Sequence, residues 1–244
     1  MIKGLDLLST LMQRKVNRAR TAGHCVACLD RRAINGLCAG CQGDLPVNRW
    51  HCQRCALPMA IPSPDLTCGE CLHITPPFCR TLAPWRYQYP VDAMIGRYKY
   101  RGQRKFVRPL VAGLATYLEQ HLGANPLHTP EMIIPAPMHP KRRRRRGFNQ
   151  ADEIAEVLSR QLSIPWSARC VTRSRQARPQ RELGREERLA NLRGVFRVTQ
   201  ELPPRVAIVD DVITTGATVR TLAEALQAAG VEDIQVWALA RTPG

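Results

Sequence analysis

Val206-Ala207-Ile208-Val209-Asp210-Asp211-Val212-Ile213-Thr214-Thr215-Gly216-Ala217-Thr218-Val219 is the stretch from which the fold is read. Its four leading apolar residues have the composition of a parallel strand buried on both faces. Two adjacent carboxylates end that strand. A short Thr/Gly-rich loop follows and opens a helix expected over 218–229, with Gly230 in the position of a C-terminal cap. In an open α/β sheet, ligands bind at the carboxyl ends of the strands. Backbone N–H groups at a helix N-terminus favour a phosphate. The hydroxyls of Thr214, Thr215 and Thr218 add donors, and Gly216 beside Ala217 lets the backbone come close. Asp210 and Asp211 would repel a phosphate, so they suit sugar hydroxyls or a Mg²⁺ carried by the ligand. The string therefore reads as a sugar-phosphate site. The plain alternative, a strand–turn–helix in which Asp211 or Thr214 only caps the helix, accounts for a lone Thr-Gly better than for the whole string.

Outward from this stretch, strands and helices alternate. The expected strands are 81–89, 132–137, 195–199, 205–209 and 234–240. The expected helices are 91–100, 106–122 and 149–162, the last with Ile154, Ala155, Leu158 and Leu162 on one face. Such alternation predicts an α/β fold, a mainly parallel sheet flanked by helices. Pro76 and Pro77 mark a boundary before it. The expected organisation is an amphipathic helix at 1–23, a cysteine-rich module at 24–76 and the α/β domain at 77–244. The N-terminal helix carries Ile2, Leu5, Leu8, Met12 and Val16 among basic residues. Packing on its own domain is its first reading, and lying on a membrane surface or docking on a partner the second.

The formal net charge is +16 and the sequence pI about 10.1. The excess is concentrated: residues 141–193 hold 15 Lys and Arg against 6 Asp and Glu. Concentration of this kind points to a polyanion partner, whether nucleic acid, acidic lipid or a phosphorylated ligand, over a merely solvated basic surface. Its centre is Lys141 with Arg142 to Arg146, read as a loop after the strand at 132–137. Residues 173–196 are Arg-rich and weakly periodic, as in either a mobile flap or a surface helix.

Ten cysteines are present, eight of them in four Cys-x-x-Cys pairs: Cys25/Cys28, Cys38/Cys41, Cys52/Cys55 and Cys68/Cys71. Two such pairs supply the four thiolates that a structural Zn²⁺ demands. The segment is too small and too polar to fold without such a staple. Two structural Zn²⁺ ions are expected. Sequential pairing gives two zinc ribbons, and spacing alone does not exclude crossed pairing (first with third, second with fourth). His24, His51 and His73 read as bystanders, and Cys79 and Cys170 as buried thiols. The N-terminus lacks the pattern of a secretory signal, and no segment reaches the ~18 apolar residues of a membrane span. The expected location is the cytoplasm, with peripheral membrane association open through the N-terminal helix.

The string at 206–219 resembles the phosphoribosyl-diphosphate (PRPP) signature of type I phosphoribosyltransferases. That resemblance implies that Thr214, Thr215, Gly216, Ala217 and Thr218 hold the 5′-phosphate, that Asp210 and Asp211 hold the ribose hydroxyls, and that Mg²⁺ comes with the PRPP. It also implies that the loop after the first core strand meets the diphosphate, where Lys141 and Arg146 would neutralise a leaving pyrophosphate. The cysteine pairs, Tyr98-Lys99-Tyr100-Arg101-Gly102, Arg146-Gly147-Phe148-Asn149-Gln150, Arg173 with Gln180, Arg188 and Asn191, and the Asp-Asp loop together resemble the ComF/GntX family. Its members join a double zinc ribbon to a type I phosphoribosyltransferase-like domain and are associated with uptake or utilisation of external DNA. Two expectations follow from that resemblance. One is a PRPP-dependent pentosyltransferase of unstated acceptor. The other is a non-catalytic single-stranded-DNA adapter, working with the DNA-uptake machinery at the inner membrane face.

Overall fold

The computed structural model describes residues 23–60, 66–124, 126–173 and 194–244. Residues 1–22 of the expected helix at 1–23, and the stretch 174–193, lie outside them. In chain order the elements are α1 (Ala39–Gly43), α2 (Gly69–His73), β1 (Arg80–Leu82), β2 (Trp85–Arg86), α3 (Val91–Arg101) and α4 (Arg108–Gly123). There follow β3 (Met132–Pro135), α5 (Pro140–Arg146), α6 (Gln150–Leu162), β4 (Val171–Arg173), β5 (Phe196–Val198), β6 (Arg205–Ile213), α7 (Ala217–Ala228) and β7 (Asp233–Arg241). Single 3-10 turns occupy Arg104–Phe106 and Pro126–His128.

Two compact units divide the described chain: residues up to Pro46 with Gln88–Ala112, and Val47–Tyr87 with Gly113–Gly244. In the first, α3 buries Val91, Met94, Ile95 and Tyr98, which recur at the helical period. Gly102 ends it in the left-handed region at φ 62°. The Arg97 guanidinium lies 4.7 Å above the Phe106 ring.

The second unit contains the sheet, ordered β1-β7-β6-β3 with every pair parallel. β6 and β7 form its centre, paired from Arg205↔Asp233 to Ile213↔Arg241. Val206 to Val209 are fully buried, as a strand covered on both faces requires. Ile208, Ile134, Val236, Leu222 and Leu226 belong to one apolar core. The strand expected over 81–89 is instead two pieces, β1 and β2, both on the same edge of β7. Ala83 and Pro84 separate them: proline has no N–H to give the ladder, and the Pro84 carbonyl accepts from the Asn48 amide at 2.8 Å. An added Cβ at Gly113 would lie 2.7 Å from Trp85 Cη2, so only glycine lets helix α4 pass this ring.

Two further differences bear on the site. The basic run expected as a loop is the helix α5, with Pro140 at its first positions and Gly147 closing it at φ 78°. β4 and β5 form a separate antiparallel ribbon, of which β4 has no counterpart in the expected elements. Among the described residues, no helix is long and apolar enough to cross a membrane.

Candidate functional site

β6 runs four residues further than expected, to Ile213, and takes the two acids into the strand. The reason lies in its neighbours. On one side β7 stays paired through Ile213↔Arg241, whereas on the other β3 stops at Pro135↔Val209. Asp210 is thus the first residue of β6 past the end of the β3 ladder. Consecutive strand residues project to opposite faces: Asp210 is half-buried and Asp211 only 7% exposed. Asp210 Oδ1 accepts a bond from the Asp211 amide at 2.8 Å.

After the strand, Thr214 and Thr215 are exposed and Gly216, Ala217 and Thr218 are half-buried. Gly216 is the N-cap of α7 at φ 73°, and it offers no side chain to cap the helix. An L-residue at this φ is strained, so glycine is what turns the loop into the helix. The Ala217 amide meets Thr215 Oγ1 at 3.4 Å. The loop is held from behind by Arg241, a residue only 5% exposed. Its Nη1 donates to the carbonyls of Ile213 and Thr214, and its Nε donates to the Cys55 carbonyl at 3.2 Å.

Cations gather on the Asp210 side. Arg173, at the end of β4, lies near both Arg142 and Asp210; burial and Arg142 lower its proton affinity, and Asp210 opposes them only in part. Its guanidinium lies 5.4 Å from the Phe196 ring centroid. His139 is the N-cap of α5, its Nδ1 accepting from the Lys141 amide at 3.2 Å. Burial, Arg173, Lys141 and Arg142 hold its pKa below the usual histidine value. Lys141 and Arg146, the two cations expected at the leaving group, occupy opposite ends of α5. Lys141 is exposed, and Arg146 donates to Gln150 Oε1 at 3.0 Å. Asn149 caps α6, accepting from the Ala151 amide, and its Nδ2 donates to the Ala136 carbonyl at 3.2 Å. This ties the Arg-Gly-Phe-Asn-Gln segment to the end of β3. Arg142, beside Arg173, was masked in the sequence by its place in a run of five arginines. Arg241 carried no sequence signal, since it stands 27 residues from Thr214.

The cysteines form two groups, Cys25/Cys28/Cys38/Cys41 and Cys52/Cys55/Cys68/Cys71, each with all four sulfurs within 4.8 Å of one another. The pairing is therefore sequential, and the crossed alternative falls. The two groups lie in different units, the first in that of α3 and the second in that of the sheet. A tetrahedral Zn²⁺ with Zn–S bonds of about 2.3 Å sets its sulfurs about 3.8 Å apart. Cys28 and Cys38 lie 3.5 Å apart, and Cys55 and Cys68 3.6 Å, so both groups are compatible with one structural zinc each. The thiols are also electrically unequal. Hydrogen bonding from Cys55 lowers Cys52 against the effect of burial, while burial raises Cys71. Burial opposes ionisation of Cys25, yet the backbone amides of Cys28, Cys38 and Ala27 bring it to about 6. A bound dication removes this conflict by stabilising all four as thiolates. The groups contain cysteine alone; His51 Nδ1 is engaged by the Asn48 carbonyl at 2.7 Å. Cys170 is fully buried as expected, whereas Cys79 is exposed.

No family model matches the chain. Competence protein F of Haemophilus influenzae is 36% identical over 223 residues, covering 89% of this chain and 96% of that protein. DNA utilization protein YhgH of Salmonella typhimurium is 33% identical over 227 residues, covering 86% and 98%. Among solved structures, a purine phosphoribosyltransferase from Pyrococcus horikoshii aligns with 56% of this chain and 73% of its own, at 21% identity and a TM-score of 0.36. Since both relatives are matched almost end to end, with the paired cysteines and the Asp-Asp loop inside one chain, this protein belongs to the ComF/GntX family.

Proposed function

We propose that the protein binds PRPP with Mg²⁺ at the Thr214–Thr218 loop and acts in the uptake or utilisation of extracellular DNA. The observation that carries the ligand assignment is the start of α7. A helix of 12 residues opens on a glycine without a side-chain cap, directly after a strand bearing two acids. Its first-turn N–H groups and partial positive charge suit the 5′-phosphate. Asp210 and Asp211 serve the ribose hydroxyls, and Lys141, Arg142, Arg146 and Arg173 provide positive charge for the diphosphate. The chemistry open to PRPP there is displacement at the anomeric carbon. A nucleophile's lone pair forms the new bond, and the electrons of the C–O bond leave with pyrophosphate, whose charge nearby cations stabilise. The DNA role is supported by the names of the two relatives.

A second reading, single-stranded DNA binding without turnover, is favoured by α5. Its residues Arg142 to Arg145 are all exposed on one short helix, as a phosphate-backbone contact requires.

Calorimetry of the zinc-loaded protein with PRPP, with and without Mg²⁺, tests the ligand assignment. Saturable, Mg²⁺-dependent binding is expected. Asp210→Ala with Asp211→Ala should weaken it by more than about 100-fold, as expected when several charge-assisted contacts are lost together. Zinc content should stay unchanged. Equal affinity in the double variant would remove the acids from the sugar site. A folded wild-type protein that takes up no PRPP would leave the DNA adapter as the function.

A further inference from the structure

The second cysteine group, Cys52/Cys55/Cys68/Cys71, is fastened to the loop Thr214–Thr218 by two arginines, both inside the sheet-containing unit. Arg241 reaches from the end of β7. Its Nε donates to the carbonyl of Cys55, a cluster residue, while its Nη1 donates to the carbonyls of Ile213 and Thr214, where the loop begins. Arg220 reaches from the other side. Its amide closes the first turn of α7 by donating to the Gly216 carbonyl at 2.9 Å. Its Nη2 stands 3.9 Å from Cys71 Sγ and 3.4 Å from Glu70 Oε1, and its Nη1 donates to the Ile74 carbonyl at 3.4 Å. Arg241 and Arg220 are 5% and 8% exposed as residues. A small, partly open space between cluster and loop is lined in part by Cys55, Glu70, Thr215, Gly216, Arg220 and Arg241.

Placed this way, the arginines do more than fill the interior. A buried guanidinium is stable only where its charge and its N–H groups are matched. Arg220 finds that match in the Glu70 carboxylate and the Ile74 carbonyl, and Arg241 finds its N–H partners in backbone carbonyls; Zn²⁺ with four thiolates, of net charge −2, would add to both, with Cys71 Sγ as a further acceptor for Arg220. The backbone on which the arginines converge, the carbonyls of Ile213, Thr214 and Gly216, leads directly into the first turn of α7, whose N–H groups are the ones the proposed function assigns to the phosphate. A shift of one partner is therefore felt by the other.

We propose that Arg220 and Arg241 are positioning residues that couple the metal held by Cys52, Cys55, Cys68 and Cys71 to the conformation of the Thr214–Thr218 loop. The second cluster thereby acts as the back wall of the ligand site and not only as a local staple. The proposal rests on the PRPP reading only for the identity of the ligand, since the coupling itself has a readout that needs none. Coupling is reciprocal: if the metal orders the loop, a ligand on the loop holds the metal.

Amide hydrogen exchange of the full-length, zinc-loaded protein is the primary measurement, comparing wild type with Arg220→Gln and Arg241→Gln. Exchange over residues 213–220 should accelerate about tenfold, as expected from a coupling at the low end of the usual range. Exchange of the α6 peptide, 150–162, should not change. Arg241→Lys keeps the charge but cannot span both carbonyl sets, so it should rescue only partly. Cys71→Ser, should the arginine variants not fold, removes one ligand and should give one zinc per chain with the same local loosening. Wild-type rates over 213–220 in folded variants, or in a folded Cys71→Ser chain holding one zinc, would overturn the proposal. The second measurement is zinc release to a colorimetric chelator. PRPP should slow release of one of the two ions about tenfold in wild type and not in Arg220→Gln. Accelerated exchange in a protein that takes up no PRPP would uphold the coupling and discard only the ligand.

Discussion

His139 shows how much one side chain decides near the site. Its Nδ1 accepts the Lys141 amide, which needs that nitrogen unprotonated. Burial and the charges of Arg173, Lys141 and Arg142 lower its folded pKa below the ordinary value of 6.5. The unfolded chain therefore binds the proton more readily than the folded one. The stabilisation is complete above pH 6.5 and is lost as pH falls through the lower folded value. We expect the His139 ring protons to titrate below 6.5 by NMR, with α5 loosening over the same interval. A midpoint at or above 6.5 would show that the cap and its cationic surroundings do not act on the ring. The glycine of the loop was legible at this scale because a left-handed turn into the helix, here at φ 73°, suits glycine above other residues. Arg173 was visible only through resemblance, and Arg220 and Arg241 not at all. Their partners, Glu70 and Cys55, lie 150 and 186 residues away in the chain.

Among the elements, α5 is where sequence and structure part most. A run of like charges reads as an extended loop because its members repel. The helix forms because Pro140 starts it, His139 caps it, and four arginines occupy its last turn, where the C-terminal end of the dipole favours cations. The Arg143–Asp152 pair, 3.8 Å apart, adds a contact to α6. Changing Arg142, Arg143, Arg144 and Arg145 together to Gln should weaken single-stranded DNA binding. If each contacts one phosphate, it should also flatten the slope of log affinity against log salt by about 3. Fluorescence anisotropy across a salt series measures this, and an unchanged slope would make α5 a solvated face. The extension of β6 through Asp210 and Asp211 has the same origin as the helix: it depends on partners. β7 offers a ladder as far as Arg241, and a sequence window around the acids does not contain β7.

For the molecule as a whole, the distribution of the cysteine groups is the informative feature. One belongs to the unit of α3 and the other to the unit of the sheet. Native mass spectrometry should find two zinc ions per chain. Cys28→Ser with Cys41→Ser disables one group and should leave one zinc, whereas Cys28→Ser with Cys55→Ser disables both and should leave none. The reverse pattern would mean crossed pairing. Loss of a structural zinc should unfold the segment it holds, since apparent binding energies of about 10–16 kcal/mol exceed what so small a core supplies.

The sequence by itself determined the parallel α/β sheet, the strand–acid–loop–helix string and the four Cys-x-x-Cys pairs with a metal-binding spacing. Each of these is a local pattern: a run of apolar residues, a loop composition or a spacing of two residues between thiols. Only the tertiary structure decided which cysteine pairs meet, that the basic run is a helix, that the acids lie within a strand, and that Arg220 and Arg241 join the second cluster to the loop. These depend on groups far apart in the chain that become neighbours when the sheet is assembled, and on burial, which turns a charged side chain into one that must be matched.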